Sequence, residues 1–381
     1  MKKIFFLLLL IASSSVFGQV KIWSNFGDEA LREGDYYGAS RFFLKAWDED
    51  STYEGLIYKL GMSFKGYHNN EKALFYFQKI ENSKALQIKH PDYLFHLAQL
   101  YKGLGKYELS RDYFEKFSRI KNDFTSYQYL KAKNELIIHD KIVGILRDTS
   151  DFIIQNIIGD VNTGVAEYYP VWINDSTILY SSLKASNVSP DGIINDQFYS
   201  VNLYSGHKED SIWNVGNIVT SNELLGESYS DGSFDKNGEF YFSRQLENLN
   251  YELVKAKFLT EEILLEKNTI KYKFKLGVVE PVFENLNNRK YNFRNPFVFN
   301  SEGVKYLLFS SNKPGGSGKM DLWYSENREG KWGNPKNLGS TVNSPGDEIG
   351  PNYNLNSNRF YFSSNWHYGL GGFDLFEAVG P

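Results

Sequence analysis

Two stretches of the chain carry the same chemically capable residues at the same spacing: FSSNKPGGSGKMDLW (Phe309 to Trp323) and FSSNWHYGLGGFDLF (Phe362 to Phe376). Each sets two serines and an asparagine before a glycine-rich stretch and an aspartate after it. These are the ingredients of a loop that cradles a phosphate on backbone N–H groups. The run from Pro314 to Lys319 lacks the spacing of such a loop, passes from Lys319 to Met320 and opens no helix-period segment. A pattern repeated at equivalent places in two units builds the unit rather than performing a reaction once. Ser310, Ser311, Asn312 and Asp321, with Ser363, Ser364, Asn365 and Asp374, are therefore read as a structural repeat motif. A strand ends at Ser-Ser-Asn, the glycines turn the chain, and the aspartate opens the next strand while accepting hydrogen bonds from the loop.

Other candidate chemistry is sparse. The six histidines are scattered, and the nearest two, His90 and His96, fall on different faces of a helix, so no metal site is expected. No G-x-S-x-G elbow occurs. Asp235-Lys236-Asn237-Gly238 has the start of a calcium loop but lacks its glutamate, and a hairpin turn accounts for it. Asp347 and Glu348 are adjacent, which on a strand sends them to opposite faces. Trp172, Trp213, Trp323 and Trp332 could stack on sugars, but core packing between blades is the better account of most of them. The chain has no cysteine, which removes disulfides, thiolate metal sites and a cysteine nucleophile. The expectation is a chain that is not an enzyme and needs no cofactor. Its formal net charge of −4 argues against nucleic acid as a partner.

Three kinds of segment must position these residues. Residues 1–18, MKKIFFLLLLIASSSVFG, read as a secretory signal peptide with cleavage after Gly18, since the apolar run is too short to span a bilayer. Without a lipid-bearing cysteine, the expected location is periplasmic or outer-membrane associated, and no transmembrane segment is expected in the mature chain. From 21 to 147 the period is helical. The segments Gly34 to Trp47, Tyr67 to Ile80 and Gly105 to Ile120 align with a small residue at Ala39, Ala73 and Ser110, 34 and 37 residues apart. Each is preceded by a first helix, and Tyr127 to Ile145 is the candidate capping helix. From 152 to 381 the period is two. Four hairpins superpose at Pro170 to Ser182, Asp231 to Arg244, Asn295 to Asn312 and Gly350 to Asn365, each with an Asn-, Asp-, Ser- or Gly-rich turn.

The helical segments resemble the tetratricopeptide family, and the Ser-Ser-Asn, Gly-rich, Asp pattern resembles the WD40-like propeller repeat of the TolB type. The expected fold is α then β: helical repeats followed by a propeller of about four blades. Phe152 to Ile158 is expected to close the ring as the outer strand of the last blade, beside Phe373 to Ala378. The whole arrangement resembles periplasmic proteins associated with type IX secretion and gliding. In that family an OmpA-like peptidoglycan-binding domain commonly follows, and because this sequence stops at Pro381, direct peptidoglycan binding is not expected. The resemblance implies an envelope scaffold whose partners are envelope or secretion-machinery proteins. The alternative is a propeller module that binds carbohydrate or peptide in its central cleft. Stacked helix pairs curve with their first helices inside, which makes Lys59, Ser63, Gln99 and Lys102 the candidate groove residues.

Overall fold

The computed structural model describes residues 18–32, 34–147, 155–163, 166–183, 200–264, 270–283 and 290–379. The main division of the chain falls between Thr149 and Ser150. The first unit contains helix pairs α1 (residues 18–32) with α2 (Tyr36–Glu49) and α3 (Ile57–Gly66) with α4 (Asn70–Ile80). After the short α5 (Lys84–Lys89) come α6 (Tyr93–Gly103) with α7 (Tyr107–Ile120), and then α8 (Tyr127–Arg147). Helix α5, capped by Ser83, lies where the spacing lengthens before the third pair.

Small side chains let the helices of a pair approach. Ala39, Ala73 and Ser110 are wholly buried, and the Ser110 hydroxyl donates to the Ala98 carbonyl at 2.8 Å, so the one polar member of the set is satisfied. Phe43, Phe64, Phe77, Phe95, Phe114 and Phe117 belong to the one core these helices share. Each pair turns through a residue of positive φ: Gly34 (81°), His68 (65°) and Gly105 (70°). The following N–H reaches five residues back, from Asp35 to Ala30, Asn69 to Phe64 and Lys106 to Tyr101, which is the Schellman pattern of a helix end.

The second unit is four antiparallel sheets in sequence order. The first holds β1 (Glu167–Asn174), β2 (Thr177–Ser182), β3 (Asn202–Glu209) and β4 (Ile212–Ile218). The second holds β5 (Tyr229–Phe234), β6 (Glu239–Gln245), β7 (Tyr251–Leu264) and β8 (Ile270–Leu276), with β9 (Glu280–Pro281) also on β7. The third holds β10 (Phe293–Ser301), β11 (Val304–Ser311), β12 (Asp321–Arg328), β13 (Lys331–Trp332) and β14 (Lys336–Asn337). The fourth holds β15 (Glu348–Asn354), β16 (Arg359–Ser364) and β17 (Asp374–Val379). This is a four-bladed propeller arrangement.

The middle strands read as continuous apolar runs because both faces pack. Phe240 and Phe242 of β6 meet Leu179 and Leu203 of the first blade, while Tyr241 joins Leu307 and Phe309 of the third. On the other face of β11, Leu308 packs with Phe360 and Phe362 of β16.

The expected closing strand is not where the sequence placed it. Phe152 to Ile154 lie outside the described residues, but beyond them Trp213 of β4 donates to the Ile158 carbonyl at 2.8 Å, and Asp160 donates to the Trp213 carbonyl at 3.1 Å. A parallel bridge joins Gly159 to Trp213. This segment therefore lies along the first blade, where Val161 covers Ile178, Tyr180, Tyr204 and Trp213, instead of along β17. Burial of that aromatic face under Val161 is the physical reason.

Candidate functional site

The first strands of the blades lie side by side, β1 against β5, β5 against β10 and β10 against β15. Each breaks its register at the same place, between Tyr168 and Val171, Ser230 and Gly232, Arg294 and Phe297, and Ile349 and Asn352. Each break contains one residue in the left-handed region: Tyr169 (φ 53°), Asp231 (55°), Asn295 (56°) and Gly350 (63°). Such a bulge re-aims a side chain out of the ladder. The freed N–H groups are taken by the preceding blade. Asp231 N–H donates to Ser181 Oγ at 2.9 Å and Asn295 N–H to Ser243 Oγ at 3.1 Å. The corresponding serine of the third blade, Ser310, is buried and its hydroxyl has no hydrogen-bond partner among the described residues.

The four bulges gather a polar cluster. Asp231 is fully buried, and its Oδ2 accepts from Asn295 Nδ2 at 2.7 Å and from Ser243 Oγ at 3.3 Å. The Arg294 guanidinium lies 3.7 Å from the same oxygen and 4.2 Å from the Tyr251 ring centroid. Asp231 Oδ1 and Arg294 Nε are buried without a hydrogen-bond partner among the described residues. Burial raises the Asp231 carboxyl above its ordinary range against the pull of Arg294. It also raises the phenols of Tyr168, Tyr169 and Tyr251, to which the Asp231 charge adds. The tyrosines are therefore hydroxyl donors at any physiological pH.

The helical candidates are placed differently from expectation. Ser63 is wholly buried and its hydroxyl donates back to the Lys59 carbonyl at 2.8 Å. Lys102 is buried too, bonded at 2.8 Å to Glu135 of α8, which also binds Lys131. Neither is open to a partner, because capping by α8 removes Lys102 from water and pairs its charge. Reversing the charge of Lys102 would act on the interior of the unit. Lys59 pairs with Asp28 of α1 at 2.7 Å, and Gln99 accepts from Lys65 Nζ at 2.6 Å; both are half-buried. Successive first helices are thus joined by polar contacts. Between α3 and α6 the joint is Tyr58 donating to Asp92 at 2.6 Å, with Lys65 Nζ 3.0 Å from His96 Nδ1.

The repeat-motif residues tie strands together. Ser311 faces Asp321 in register, as Ser364 faces Asp374. Asp321 Oδ2 accepts from Ser317 N–H at 2.6 Å. Asn312 Oδ1 accepts from Asn292 N–H at 2.7 Å, and Asn365 Oδ1 accepts from Asp347 N–H at 2.9 Å. Ser310 and Ser363 precede these pairs on β11 and β16. Sequence reasoning missed Asp231, Arg294 and the tyrosines. For Tyr169 and Asp231 the signal was the residue before Pro170 and Gly232, the position that Asn295 and Gly350 hold in the other two hairpins; Tyr168 and Arg294 stand one residue ahead of it, and Tyr251, on β7, had no such signal.

Residues 91–124 match the tetratricopeptide repeat family. No curated protein matches the chain. Among solved structures, an α-L-arabinanase of Penicillium chrysogenum in complex with arabinobiose is 12% identical, with 56% of this chain and 63% of that one covered and a TM-score of 0.34. A Bacillus megaterium levansucrase variant is 12% identical over 63% of this chain and 78% of that one, at a TM-score of 0.39. Bacillus subtilis levansucrase is 12% identical over 61% and 70%, at 0.35. The chain spans less than two thirds of the arabinanase. The propellers it resembles are enzymes, which overturns the expectation that this chain is not one. At this similarity the exclusion falls and no activity is carried over. The architecture, a tetratricopeptide-type helical unit followed by a four-bladed propeller, suits protein–protein interaction.

Proposed function

We propose that the chain is an exported cell-envelope protein that assembles other proteins, in the type IX secretion or gliding machinery that its WD40-like, TolB-type repeat signature and domain order resemble. The observation that supports this reading is the stack of three helix pairs ended by α8, one pair of which matches the tetratricopeptide repeat. Such stacks present an extended surface to a partner chain. The groove reading is narrowed to the half-buried Lys59 and Gln99, since Ser63 and Lys102 are enclosed. The test is affinity capture from an envelope fraction with the full mature chain as bait. Recovery of defined outer-membrane or secretion components, lost when residues 18–147 are replaced by an unrelated helical-repeat unit, supports the reading. Recovery unaffected by that replacement overturns it.

A second reading, binding of carbohydrate or peptide at the propeller centre, is favoured by the Asp231, Arg294 and Tyr251 cluster. It is compatible with the first, because the two concern different units of the chain.

A further inference from the structure

The cluster at the four bulges is unbalanced in its hydrogen-bonding capacity. Arg294 brings five N–H donors, and among the described residues none of them makes a hydrogen bond; its contacts are the 3.7 Å ion pair with Asp231 and the Tyr251 ring. The guanidinium side chain is 31% exposed, so it is reachable, while its Nε is buried without a partner. Tyr168, Tyr169 and Tyr251 add hydroxyl donors held in the protonated form by burial. Asp231 beside it is enclosed and already takes two hydrogen bonds on Oδ2, while its buried Oδ1 makes none among the described residues. A stacked guanidinium with a free fork and phenolic donors around it matches a planar acceptor with two oxygens.

We infer that the propeller centre binds a carboxylate group, held by the Arg294 fork with tyrosine hydroxyls beside it. This rests on the second reading above, that the centre is a binding site, and names the ligand chemistry. Asp231 decides between anions. With a carboxylate 3.7 Å from the guanidinium, the local charge is near balance, so a monoanion is accommodated where a phosphate dianion is repelled. The carboxylate has two sources compatible with this chemistry, the C-terminus of a peptide and a uronic acid sugar.

The test titrates the full mature chain by calorimetry with four probes: N-acetyl-dialanine, its C-terminal amide, glucuronic acid and glucose. The expected result is that at least one acid binds about tenfold or more tightly than its neutral counterpart, the arm identifying the source. Arg294→Gln is expected to remove that preference, and Arg294→Lys to reduce it, because an ammonium keeps the charge but loses the fork. Melting curves confirm that the variants fold. Acid and neutral probes bound equally in an Arg294-dependent way would leave the centre a binding site and overturn the carboxylate inference. No binding by any probe up to about 10 mM overturns both. The acid-against-neutral comparison on the unmodified protein decides the matter even if a variant fails to fold.

Discussion

At the scale of single residues, the joint between α3 and α6 contains a histidine that resists protonation. Burial and the neighbouring Lys65 lower His96 from 6.5 to about 4, even though Asp92 faces it. Burial works against the Asp92 charge, yet bonds from His96 and Tyr58 bring that carboxyl down to about 2. In both cases the unfolded chain binds more protons than the folded one. For His96 the window runs from 6.5 down to about 4, and for Asp92 from 3.8 down to about 2. The helical unit is therefore expected to lose stability as pH falls through these ranges, by about 3 kcal/mol for the histidine. Urea denaturation followed by helical circular dichroism between pH 7 and 4 measures the slope. His96→Gln should flatten it, and an unchanged slope would remove His96 as its cause. Lys65 and Tyr58 reach the ring nitrogens, and Phe77 and Phe95 pack against the ring itself.

At the scale of elements, the helix pairs were legible where composition marks geometry and hidden where it does not. Ala39, Ala73 and Ser110 announced the crossings because only small side chains fit there. The turn was harder to see, since two units use glycine and the middle one places His68 in the same left-handed conformation. A histidine there carries backbone strain that glycine does not. His68→Gly is thus expected to stabilise the unit by up to about 1 kcal/mol. Thermal melting of the variant measures it, and a fall in stability would show that the His68 side chain contributes more than its strain costs. The hairpins were legible from period and turn residues. The last blade's closing strand was misplaced because an apolar segment ahead of the first hairpin marks a stretch that pairs, not the edge it covers. The central cluster escaped notice because its members are spread over three blades, Tyr168 and Tyr169 in the first, Asp231 and Tyr251 in the second and Arg294 in the third, and none stands in a local motif.

At the scale of the whole molecule, the expectation of export gives a direct measurement. The chain recovered from outside the cytoplasm should begin at Gln19, read by N-terminal sequencing as Gln-Val-Lys-Ile-Trp. An exported chain that retains Met1 would contradict cleavage. The propeller's central bulges have a further consequence for any molecule bound there. The backbone repeats four times around the axis, but the residues displayed, Tyr169, Asp231, Asn295 and Gly350, are all different. At Gly350 even a methyl group would meet the Tyr169 hydroxyl at 2.8 Å, so one position forgoes its side chain beside another's ring. A ring of identical residues would hold a guest in four equivalent rotations and gain RT ln 4, about 0.8 kcal/mol, from that degeneracy. This chain forgoes that multiplicity, and what enters along its axis has a single bearing.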